Sequence, residues 1–146
     1  MSNQQVVVER IYKAPIEKVW KAITDKEEMK EWYLDLKEFK LEVGFAFEFT
    51  GGEEGGKQYL HKCEIINVEP GKELTYSWRF DGYPGNSFVT FELSEQDNKG
   101  TLLRITHKGL ETFPTDIPDF AKENFFTGWE HIINIGLREY LEKTSK

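Results

Sequence analysis

Residues 120–143 read FAKENFFTGWEHIINIGLREYLEK, and the spacing predicts a long helix from about Phe120 to Lys143. At roughly 100° per residue, Phe125, Phe126, Trp129, Ile132, Ile133, Gly136, Leu137 and Tyr140 fall within an arc of about 140°. Thr127, His131, Asn134, Arg138 and Glu142 take the opposite side. So wide an apolar face must lie on something, and the only large apolar surface left to the chain is the one its strands supply.

Those strands precede the helix. After Tyr33 the apolar period changes to two, and about the next seventy residues read as a meander of antiparallel strands. Phe45, Phe47 and Phe49 share one face, as do Leu74, Tyr76, Trp78 and Phe80, with Thr75, Ser77 and Arg79 turned the other way. Val89, Phe91 and Leu93 repeat the pattern, and so do Leu103, Ile105 and His107 against Arg104, Thr106 and Lys108. Turn-forming residues fall between the runs at 50–56, 69–72, 81–86 and 96–100. The run 62–68 keeps no clean parity, because Cys63 and Ile65 compete with Ile66 and Val68, and a bulge is expected there. Further upstream, Val6 to Tyr12 reads as a first strand. Pro15 then suits the first turn of a helix carrying Ile16, Val19, Trp20 and Ile23. Thr24 and Asp25 can cap a second short helix over Lys26 to Trp32, with Met29, Trp32 and Tyr33 on its apolar side. The order of strand, two short helices, antiparallel meander and long helix predicts an α+β fold whose sheet wraps the last helix.

A chain of 146 residues is expected to form one domain with its own core, spanning 1–146. It carries 4 Trp, 6 Tyr and 11 Phe, which placed on the strands and helices mostly line the two walls of one compartment. With 19 Lys and Arg against 26 Asp and Glu the formal net charge is −7, which disfavours nucleic acid and acidic membranes as partners. The single cysteine, Cys63, excludes an internal disulfide and a cysteine-based zinc cage. The opening MSNQQVVVER lacks an apolar stretch of signal-peptide length, so the cytoplasm is the expected compartment.

Catalytic signatures are missing: there is no GxSxG elbow, HExxH, CxxC or Walker loop. The Gly-rich stretch 51–56 lacks the Lys-Ser/Thr ending of a phosphate cradle and joins two strands, which makes it a hairpin. Glu123 and Glu130, or Glu53 and Glu54, fall on a wet helix side or in a turn, and Cys63 reads as a small buried hydrophobe. His131 reads as solvated, and the direction of His61 cannot be assigned. His107, by parity, faces the long helix, either as a core-edge histidine bonded to Tyr or backbone or as a polar anchor in an apolar pocket. Gly136, a glycine within the inward helix face, either lets the helix pack closely on a bulky sheet residue such as Trp78 or leaves space for a ligand.

The segment IYKAPIEKVWKAITD (11–25), followed by MKEWY (29–33), resembles the opening signature of Hsp90-ATPase-activator-like (AHSA1-type) domains of the START/Bet v 1 superfamily. NVEPGKELTYSWR (67–79), ITHKGL (105–110) and GWEHII (128–133) resemble the family's later blocks in the same order. The resemblance implies a helix-grip architecture, with six or seven antiparallel strands around the C-terminal helix and the two short helices closing one end. It also implies a cavity between helix and sheet that takes lipids, sterols, polyketides or other apolar molecules. Gly136 departs from the aliphatic residue expected at its position, which would enlarge that cavity.

The expectation is therefore a protein that binds a hydrophobic small molecule, with no cofactor, metal or catalytic residue. Its cavity would be formed by Trp78, Phe80, Phe91, Ile105, Phe125, Trp129, Ile133 and Gly136, with Met29, Trp32 and Tyr33 near the mouth and His107 and Tyr76 giving polar orientation. The alternatives are a co-chaperone-like interaction module with an Hsp90-type partner and, last, a cyclase or hydrolase. The chain would be a monomer or a homodimer.

Overall fold

The computed structural model describes residues 5–33, 36, 38–52, 57–97, 100–114 and 116–143. The turn reading at 51–56 lies largely outside them, as do Glu53 and Glu54. Strand β1, Val6–Tyr12, buries Val6, Val8 and Tyr12. Pro15 ends it and caps helix α1, Ile16–Thr24, its carbonyl accepting from the Lys18 and Val19 amides. The Asp25 side chain accepts from the Glu27 amide at the start of α2, Lys26–Trp32, as the capping rule predicts. Five further strands follow: β2, Ala46–Gly52; β3, Gln58–Glu69; β4, Glu73–Phe80; β5, Ser87–Glu95; and β6, Thr101–Lys108.

All six strands form one antiparallel sheet in the order β1-β6-β5-β4-β3-β2. The first strand therefore lies beside the last, and α1 and α2 carry the chain from one edge of the sheet to the other. Strict alternation puts Leu74, Tyr76, Trp78 and Phe80 of β4, Val89, Phe91 and Leu93 of β5, and Leu103, Ile105 and His107 of β6 on the buried face. The expected bulge is present. The register with β4 slips between Ile65 and Asn67, so Ile65 is fully buried and Ile66 turns out to solvent.

The long helix differs from a regular α-helix. After a single 3-10 turn at Pro118–Phe120, helix α3 runs Lys122–His131, a π-helical segment follows over Ile132–Leu137, and α4, Arg138–Lys143, completes the run. Its buried residues, Trp129, Ile133, Leu137 and Leu141, recur every fourth position. In a pure α-helix that stripe would drift by about 40° per step. The wider π turn takes up the drift and keeps the stripe on the sheet. Phe126, expected on the inward arc, is 41% exposed, because the inward stripe is narrower than 140° and passes it by. Gly136 faces α2: a Cβ there would lie 3.3 Å from the Trp32 carbonyl oxygen, so the glycine admits the end of α2, and neither Trp78 nor a ligand is what it accommodates.

Candidate functional site

Helix and sheet touch over one half of the sheet and part over the other. Above β5 and β6 the Trp129 ring fills the space, its centroid 5.9 Å from that of Phe91 and 6.0 Å from that of His107. Above β2, β3 and β4 a hollow of about 640 Å3 opens, a volume in the range of small-molecule sites. Register builds its floor: Phe49 pairs with His61 and His61 with Phe80, so three inward rings lie abreast, with Trp78 one step along β4. His61 stacks on Phe49 at 4.5 Å and meets Trp78 and Phe80 edge-on. The end of α2 supplies Trp32 and Tyr33, which stack at 5.2 Å. The turn before α3 supplies Phe120, stacked on Phe80 at 4.4 Å. Thr50, Asn124, Thr127 and Gly128 are exposed at the rim, which opens the hollow to solvent.

Of the residues singled out from sequence, Trp32, Tyr33, Trp78, Phe80, Phe125 and Trp129 line this hollow. Met29, Tyr76, Phe91, Ile105, His107 and Ile133 are buried but do not line it, since Trp129 closes the β5–β6 side where the last strands were expected to contribute. Gly136 lies behind Trp32. Phe49, Tyr59, His61, Phe120 and Ile132 line the hollow without having been singled out. Parity from Tyr59 through His61 and Cys63 to Ile65 was the signal for two of them, masked by the bulge that follows.

Polar groups in and under the hollow follow a definite accounting. His107 is fully buried and forms the centre of a chain. The Trp129 indole N–H donates to His107 Nδ1 at 3.0 Å, His107 Nε2–H donates to Ser87 Oγ at 2.7 Å, and the Ser87 hydroxyl donates to the Trp78 carbonyl at 2.7 Å. Only the neutral imidazole with its proton on Nε2 satisfies all three bonds. Burial pushes the His107 pKa down to about 3, which fits that neutral ring. This chain staples α3 to β4, β5 and β6 and leaves His107 no free nitrogen. Burial also lowers the pKa of His61, against the raising effect of its ring hydrogen bond with the Tyr59 carbonyl. The Tyr33 and Tyr76 hydroxyls are 2.8 Å apart, and burial raises both phenols above their ordinary range. Cys63 is buried and its thiol is raised for the same reason. The Trp32 indole N–H donates to the Ala22 carbonyl at 2.9 Å, whereas Trp78 Nε1 is buried with no partner.

Residues 13–142 match the family model of Activator of Hsp90 ATPase homolog 1-like proteins. No curated protein matches the sequence. Among solved structures, protein MLL2253 from Mesorhizobium loti is 32% identical, with a TM-score of 0.74 over 96% of this chain and 98% of that one. CalU16 from Micromonospora echinospora is 28% identical, with a TM-score of 0.72 over 94% of this chain and 75% of its own. An Aha1 from Colwellia psychrerythraea, solved in solution as a dimer, is 21% identical with a TM-score of 0.71 over 94% and 96%, a likeness of fold. Among the described residues no helix is long and apolar enough to cross a membrane.

Proposed function

The chain belongs to the Activator of Hsp90 ATPase homolog 1-like family, and from that premise and the hollow together we propose that it binds a hydrophobic small molecule between α3 and the β2–β4 half of the sheet. The observation that carries the reading is an open, solvent-reachable hollow of about 640 Å3 walled by Trp32, Tyr33, Phe49, Trp78, Phe80 and Trp129. Burying apolar ligand surface there yields about 25 cal/mol per Å2 before the cost of immobilisation. The polar rim keeps the mouth wet. Titration of tryptophan fluorescence with 9-fluorenone, a sterol and a long-chain fatty acid tests it. Saturable quenching or a blue shift with at least one of them is expected, and a linear, non-saturable response to all three would refute it.

Contact with an Hsp90-type chaperone is a second reading, favoured by family membership and independent of the hollow. Recovery of such a chaperone at stoichiometric level in a pull-down would support it.

A further inference from the structure

Among the described residues, one side chain alone can place a positive charge in the hollow. No Lys, Arg, Asp or Glu lines it. Glu48, Lys62 and Arg79, beside His61 along β2, β3 and β4, take the outer face, where Lys62 meets Asp81 at 3.6 Å. Lys57, over the Tyr59 ring, spends its ammonium on the Tyr83 hydroxyl at 2.7 Å. The charged residues of α2 and α3 do not line the hollow either. Tyr33 and Tyr59 line it, but a phenol is never cationic. His107, behind Trp78, has both nitrogens engaged and stays neutral. That leaves His61.

The surroundings of His61 suit the cation as well as the neutral ring. Its Cε1 edge is set toward Gly51, which lines the hollow as His61 does: an added Cβ there would lie 3.6 Å from Cε1. Nδ1 lies 3.0 Å from the Tyr59 carbonyl, and the Phe49 carbonyl is a second acceptor beside the ring. A neutral imidazole has one N–H for these two oxygens, whereas the imidazolium has two. The Phe49 ring, stacked at 4.5 Å, also favours a cation over its face. Against these stands loss of water, the largest influence on the ring, which holds its pKa below the ordinary histidine value. An anion entering the hollow changes that balance, because an opposite charge nearby favours the cation. The anion in turn needs a partner to replace the water it loses.

We propose that the hollow takes apolar molecules that end in one carboxylate, and that each binds with uptake of one proton by His61, whose imidazolium becomes the counter-charge. The ionised acid brings one negative charge and the proton from solvent one positive charge, so the filled hollow holds no net charge. This rests on the hollow being a binding site, as argued above, and adds the charge of the occupant and its coupling to pH.

Isothermal titration calorimetry with 9-fluorenecarboxylic acid and its neutral carboxamide, at pH 7 and pH 8, tests it. At both values the free acid is ionised and free His61 is neutral, so binding of the acid draws a proton that becomes scarcer as pH rises. Its Kd should be up to about tenfold weaker at pH 8 than at pH 7, and its heat should vary with the ionisation enthalpy of the buffer. The carboxamide should show neither effect. His61→Gln, which can still donate to the Tyr59 carbonyl but cannot take the proton, should remove the pH dependence and leave the acid weaker than the carboxamide. A pH dependence that survives in His61→Gln puts the proton on the ligand's own carboxyl and overturns the assignment. On the native chain at pH 7, the His61 Cε1–H NMR signal should move toward its imidazolium position with the acid and not with the carboxamide; a signal that stays at the neutral position overturns it as well. If the carboxamide binds but the acid does not, or the acid binds equally at both pH values, this proposal falls and the apolar-binding reading stands. If neither probe binds, both fall together.

Discussion

Acidification should destabilise the fold through His107 in a way that can be worked out beforehand. The group is neutral in the folded chain, with a pKa of about 3 set by burial, and ordinary in the unfolded chain, near 6.5. Above pH 6.5 neither state is protonated and the histidine contributes no pH dependence. Below 6.5 the unfolded chain takes up a proton that the folded one refuses, so stability falls with pH by about 1.4 kcal/mol per unit until the folded ring itself titrates near pH 3. Between pH 7.5 and pH 5 the loss is about 2 kcal/mol, a figure that depends only on the folded pKa lying well below 5. His61, whose pKa is lowered by burial too, acts in the same direction. The assay is urea unfolding followed by tryptophan fluorescence at both pH values, on the native sequence and on His107→Asn. His61 remains in both proteins and cancels. The variant starts less stable, but its loss on acidification should be smaller by about 2 kcal/mol. Equal losses would refute the neutral, fully bonded His107 on which the staple between α3 and the sheet depends.

Ser87→Ala should cost about 1–3 kcal/mol in the same urea assay, because it strands the His107 Nε2–H in a buried site. Gly136→Leu should lower the melting temperature and destabilise by about 1–3 kcal/mol, since its first carbon already meets the Trp32 carbonyl at 3.3 Å; a variant as stable as the native chain would contradict that close approach. Cys63 should react with a thiol reagent such as Ellman's only after urea unfolding, since burial hides it and keeps it protonated, and prompt reaction of the folded chain would place it elsewhere.

The inward set of β4, β5 and β6 was legible because the opposite face is wet, and a period of two then leaves no choice of side. The bulge was legible as a clash of parities, but its place was not. Because the slip comes only after Ile65, the stretch Tyr59 to Ile65 keeps one parity, and His61 with it faces the hollow. Direction is a property of one strand, so parity could bring His107 inward. The bonds it makes there depend on Ser87 and Trp129, from β5 and α3, and no local pattern announces partners that far apart. Periodicity likewise gave the C-terminal helix but assumed a constant turn, so the π segment at Ile132–Leu137 and the outward turn of Phe126 were hidden from it. Gly136 leaves close packing on the sheet and space for a ligand equally open in the sequence, because a missing side chain looks the same whatever takes its place, and the end of α2 that does so is set by the tertiary fold.

The indole region of a proton–nitrogen NMR spectrum tests the central claim most directly, because the four tryptophans divide around the hollow. Trp32, Trp78 and Trp129 line it, and Trp20 on α1 does not. On titration with 9-fluorenone the Trp32, Trp78 and Trp129 indole signals should shift saturably with a common dissociation constant while the Trp20 signal stays in place. Shifts shared by all four, or by none, would contradict it.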